Sequence, residues 1–161
     1  MTLFLLSACS AAGAGSGGEV DLGEAATIPS ANGKVTADLT IESITPVSSC
    51  SLFPGSPVTP QNGYLVHLEI HATTTTADSP QENAGVPFDD TMMHFIAEDG
   101  SVHEDVGTAT SQACLAHEER FPVLAMGPGG EYSGGLVLDV PASTGSIAFT
   151  DAAGEVWLWE F

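Results

Sequence analysis

The side chains with chemistry to offer are few and clustered. His67-x-Glu69-x-His71 places two imidazoles and a carboxylate at alternate positions. On a strand these emerge on one face, about 6.8 Å from one to the next. Neighbouring members of the set could share a zinc or copper ion. The competing reading is the polar outer face of a half-buried strand, because Val66, Leu68 and Ile70 fill the interleaved positions. Met92, Met93 and His94, with Met126 further along, offer soft donors suited to Cu(I), although methionine also fills irregular core space. The histidines at 67, 71, 94, 103 and 117 are the general-base candidates near neutral pH. No nucleophile elbow, Walker loop, HExxH helix or EF-hand loop accompanies them. The expectation is therefore a protein without catalysis and without a cofactor.

Charge removes two further classes of function. The 161 residues include two Lys+Arg against 21 Asp+Glu, a formal net charge of −19. With Lys34 and Arg120 as the basic residues, the chain cannot neutralise a run of phosphates, which argues against nucleic-acid binding. An anionic headgroup surface is repelled for the same reason. The acidic pairs, Asp89-Asp90, Glu98-Asp99, Glu104-Asp105 and Glu118-Glu119, lack the spacing of a dedicated Ca²⁺ loop and read as a solvated surface.

The N-terminus reads as an address. Leu3 to Leu6 form a short apolar run, too short to span a bilayer, and small residues follow at once. Leu6-Ser7-Ala8-Cys9 resembles a bacterial lipobox, which implies a lipidated Cys9 as the mature N-terminus. The absence of a basic start predicts that residues 1–8 are a signal-peptide remnant whose beginning lies upstream of Met1. Residues 9–32, rich in Ala, Gly and Ser, are expected to form a flexible tether. Gly13-x-Gly15-x-x-Gly18 has neither a strand before it nor a helix after it, so it is a chance match to the dinucleotide pattern.

What must position the candidate residues is a set of strands. Val35, Ala37, Leu39 and Ile41 alternate with polar neighbours, and Tyr64, Val66, Leu68 and Ile70 do likewise. Met92–Ala97, Tyr132–Val140, Ser146–Thr150 and Glu155–Phe161 are further candidates, separated by Gly, Pro and Asn turn signals. Helical periodicity is confined to the short stretch Ser111–Arg120. Residues 33–161 are thus read as an all-β domain, an immunoglobulin-like sandwich of about seven strands. With Cys9 lipidated, Cys50 and Cys114 remain as an even pair expected to bond in an oxidising compartment. Two buried free thiols are the alternative.

The lipobox, the tether, Gly63-Tyr64-Leu65-Val66, Phe95-x-x-x-Asp99-Gly100, Gly127-Pro128-Gly129-Gly130-Glu131 and Gly135–Pro141 together resemble actinobacterial lipoproteins with an immunoglobulin-like domain of unknown function. They are similar to the small secreted β-sandwich antigens of mycobacteria. The resemblance implies fold and export, and carries no activity to any residue. The expected role is a non-catalytic, membrane-anchored extracytoplasmic lipoprotein, a binding or scaffolding module with a protein or envelope component as partner. The membrane is reached through the lipid alone. An exported copper- or zinc-binding protein using His67, Glu69 and His71 is the alternative. Long loops over 72–90 and 101–130 point to recognition through Phe88, Asp89, Asp90, Leu115, His117 and Phe121, which mix apolar and charged character.

Overall fold

Alternation in the sequence becomes register in the sheets. The computed structural model describes residues 17–48, 50, 58–79, 85–122 and 125–161. In β3 (Thr36–Val47), Ala37, Leu39 and Ile41 turn inward, and the pairing with β4 (Tyr64–Thr74) then slips between Ile41 and Ser43. This bulge absorbs Glu42 and returns Ile44 to the inner face, so one long strand keeps its apolar side on the core across a break in alternation.

The four-stranded sheet runs β2 (Ala25–Pro29), β3, β4, β7 (Glu131–Val140), all antiparallel. The five-stranded sheet runs β1 (Gly18–Glu19), β9 (Val156–Glu160), β8 (Ser146–Thr150), β5 (Met93–Ile96), β6 (Val102–His103). Among the described residues, seven strands have four or more residues and two are short edge pieces. Leu39, Leu68, Ile70 and Leu138 from one sheet and Phe95, Phe149, Trp157 and Trp159 from the other share one buried cluster. The immunoglobulin-like β-sandwich expected from the sequence is the architecture found.

One boundary moves. The tether expected over residues 9–32 is structured in its second half: Gly18 and Glu19 pair in parallel with Trp157 and Leu158, and Ala25–Pro29 pair with Thr36–Thr40. Ala26 and Ile28 are fully buried, yet a five-residue strand with only those two inward apolar residues is too brief to stand out by periodicity. The signal remnant and Cys9 lie outside the described residues.

Candidate functional site

β7 is the strand on which the site is built. From Gly135 to Val140 every residue is buried, so both faces are covered. Leu136, Leu138 and Val140 face the sandwich core. Outward, Val137 joins Cys50, Leu65 and Cys114 in a second small cluster, against which Leu115 packs. The pairing expected of the cysteines is present: Cys50 and Cys114 form a disulfide with a Cα–Cα distance of 4.5 Å.

Three ties hold the segment from Val106 to Phe121 against this face. At one end, the buried carboxylate of Asp139 accepts from Thr108 Oγ1 (2.9 Å), the Gln61 amide (2.7 Å) and the Asn62 amide (3.0 Å). Thr108 also caps the single turn α1 (Ala109–Gln112), its hydroxyl accepting from Ser111 N. In the middle is the disulfide. At the other end Phe121 N donates to Gly135 O at 2.8 Å, and Arg120 bridges Gly135 in parallel. The glycine pair 134–135 makes this contact possible. A Cβ at 134 would lie 2.5 Å from Arg120 C and Phe121 N, and one at 135 would overlap His67 Nε2 and sit 2.8 Å from Leu115 Cδ1.

Between this strapped segment and β7 lies a cavity of about 270 Å³. Its apolar lining comes from Leu115, Phe121, Leu136 and Val137, and its polar lining from Asp90, Ser111, Gln112 and Arg120. Arg120 is held in place: Nε and Nη2 donate to the Leu115 carbonyl at 2.9 and 2.8 Å. Asp90 is held too, its Oδ2 accepting from Gln112 Nε2 at 2.7 Å. A wider groove of about 600 Å³ adjoins the cavity, sharing Leu115 and Gly135. It runs along the outer side chains of β4 and contains His67, Glu69 and His71.

The sequence-derived candidates separate on this geometry. Asp90, Leu115 and Phe121 come together at the cavity. Phe88 and Phe121, expected as display residues of the loops, are 0% and 1% exposed and belong to the core, a correction that follows from their packing on each other and on Phe149. Asp89 caps a 3₁₀ turn, Asp90–Met92, by accepting from Thr91 N. His117 stands exposed on a second 3₁₀ turn, His117–Glu119.

The metal readings fare differently. His67, Glu69 and His71 do share the outer face of β4, but their side chains do not converge. Among the described residues no group of three or more His, Cys, Asp and Glu side chains is placed to hold a metal ion. Met93 and Met126 are fully buried core residues, which removes two of the soft donors considered for copper.

Of the polar lining residues that sequence reasoning missed, Arg120 carries a signal in the sequence, whereas Ser111 and Gln112 do not stand out from it. Arg120 is one of two basic residues in a chain of net charge −19, and a Gly-Gly pair inside a strand marks a close approach of backbone or ligand.

No family model matches the chain, and no curated protein matches it. Among solved structures it is similar to the crystal structure of MPT63, a secreted protein from Mycobacterium tuberculosis. The likeness has a TM-score of 0.57 at 17% identity and covers 90% of this chain and 98% of that one. At such identity the likeness shows the fold.

Proposed function

We propose that this chain is an exported, lipid-anchored binding module of the cell envelope that acts without catalysis. The observation that carries the reading is the cavity under the disulfide-strapped segment. It is pre-formed, mostly apolar and furnished with a few fixed polar groups, as small-ligand sites usually are. A disulfide between residues 64 apart fits an oxidising compartment. The secreted nature of MPT63 supports the same location, and the lipobox-like Leu6-Ser7-Ala8-Cys9 supplies the anchor.

Two acyl chains on Cys9 would give stable attachment at about 0.8 kcal/mol per buried CH₂. This offsets the repulsion between a −19 domain and anionic lipid. The cavity would then face the extracytoplasmic space on a rigid frame.

The address is tested by intact mass of the protein recovered from the membrane fraction of an actinobacterial host expressing the full gene. Cleavage before Cys9 with added diacylglycerol is the expected result, and a soluble product with an unmodified Cys9 thiol overturns the anchor. The cavity is tested by thermal shift against fractionated envelope extract, since a native-state ligand raises the melting point by mass action. Leu115→Arg, which fills the cavity, is expected to abolish the shift. A shift that survives it places binding elsewhere.

A further inference from the structure

We propose that the cavity selects a small zwitterion with an apolar body, of the size and charge pattern of a free aliphatic amino acid, its carboxylate on Arg120 and its ammonium on Asp90. The inference rests on the reading of the cavity as a binding site and adds the class of ligand.

Size comes first. At about 270 Å³ the space falls just below the range that accepts drug-sized molecules, roughly 300–1,000 Å³, so its occupant has few heavy atoms. The apolar lining from Leu115, Phe121, Leu136 and Val137 calls for a hydrocarbon portion.

Charge then decides the ends. Arg120 and Asp90 both line the cavity, and each holds its charged group on a neutral partner, the guanidinium on the Leu115 carbonyl and the carboxylate on the Gln112 amide. These bonds fix both groups in advance, so a ligand loses little to ordering them. The room for Asp90 is itself built in: a Cβ at Gly107 would come within 2.5 Å of its Oδ2. A lone carboxylate ligand would leave Asp90 as an unpaired neighbour of like charge and would have to approach a −19 molecule. A lone amine would be drawn by that field but would face Arg120. A net-neutral zwitterion escapes the long-range repulsion and pairs with both walls.

The test is isothermal titration and amide chemical-shift mapping with three probes: L-leucine, N-acetyl-L-leucine, which lacks the ammonium, and L-leucinamide, which lacks the carboxylate. Leucine is expected to bind and to perturb the amides of Gln112, Leu115, Arg120 and Gly135. Each analogue is expected to be weaker by about tenfold or more, the cost of leaving one charged partner without its charge-assisted bond. Asp90→Asn should remove the preference for leucine over N-acetyl-leucine, and Arg120→Gln the preference over leucinamide. Arg120→Lys, which keeps the charge, guards against a change in fold and should retain part of that preference. If either analogue binds as tightly as leucine, the cavity is a binding site but the zwitterion assignment falls. Variants that weaken all probes alike also overturn it, as does a titration in which no probe binds. The thermal shift with envelope extract then judges the broader reading by itself.

Discussion

The rings of Phe88 and Phe121 meet edge to face with their centroids 5.1 Å apart, joining the loop after β4 to the strapped segment on β7. Both rings are buried, and Phe88 continues the stack onto Phe149 of the opposite sheet. The pair therefore stabilises the fold, and Phe121 also lines the cavity. Phe121→Ala is expected to cost about 3–5 kcal/mol, as large-to-small changes of buried aromatics do. Urea unfolding checks this through a lowered midpoint at unchanged slope. A change within about 0.5 kcal/mol would return Phe121 to the class of exposed residues.

Asp139 is the polar counterpart of that contact. Its carboxylate is 0% exposed and accepts from two backbone amides and the Thr108 hydroxyl. Asp139→Asn keeps the shape but turns an amide group toward at least one donor. The expected loss is about 1–3 kcal/mol, from a charge-assisted bond removed and a buried donor left unpaired. Hydrogen exchange locates the effect, with faster exchange at Gln61 and Asn62 than in β3. Uniform acceleration throughout both sheets would show that the carboxylate does not act locally.

The disulfide joins cysteines 64 positions apart and anchors the middle of the strapped segment. In the chain-entropy description its removal destabilises by about 4 kcal/mol. A double Cys50→Ala, Cys114→Ala variant, melted beside the parent, is expected to unfold at lower temperature and to lose the cavity's thermal shift. An unchanged melting point would mean that Asp139 and the Gly134–Gly135 contact alone suffice to hold the segment.

How far the sequence anticipated this molecule depends on whether the physics is local. Alternation in Thr36–Ile41 and Tyr64–Ile70 is a two-residue signal, and those strands stand where it places them. The Cys50–Cys114 bridge followed from counting thiols. β2 was hidden because its inward side chains are only Ala26 and Ile28, and its stability comes from pairing with β3 across a turn. Phe88 and Phe121 look like loop residues in sequence because their partners are far away along the chain. Arg120 and Asp90 come to one cavity only through the fold, 30 positions apart, and no spacing rule links them.

Net charge should make stability depend on salt in the direction opposite to a chain held by surface ion pairs. With 21 acidic and two Lys+Arg residues, the folded state concentrates like charge. Raising ionic strength from about 0.01 M to 0.15 M shortens the screening length from about 30 to 8 Å and relieves that repulsion. The melting temperature is expected to rise with NaCl over this range. A fall would show that attractive pairs outweigh the excess of negative charge.

Asp99 supplies the acid-side test. It lies in the turn between β5 and β6, where the Ser101 side chain, then the Ser101 backbone N–H, and more weakly His103 hold its pKa below the ordinary 3.8. A carboxyl with a depressed folded-state pKa contributes stability that is present above its unfolded value and is lost as pH falls through the folded one. The contribution of Asp99 is thus intact at neutral pH and disappears only in acid below 3.8. The group is fully exposed, so solvent screening keeps the effect small. Carboxyl-detected NMR titration is expected to place Asp99 below Asp residues that lack such donors. Ser101→Ala should move it part of the way back up, because the backbone N–H of residue 101 remains to donate. If the titration is unmoved by that substitution, the side-chain hydroxyl is not the principal cause of the depression.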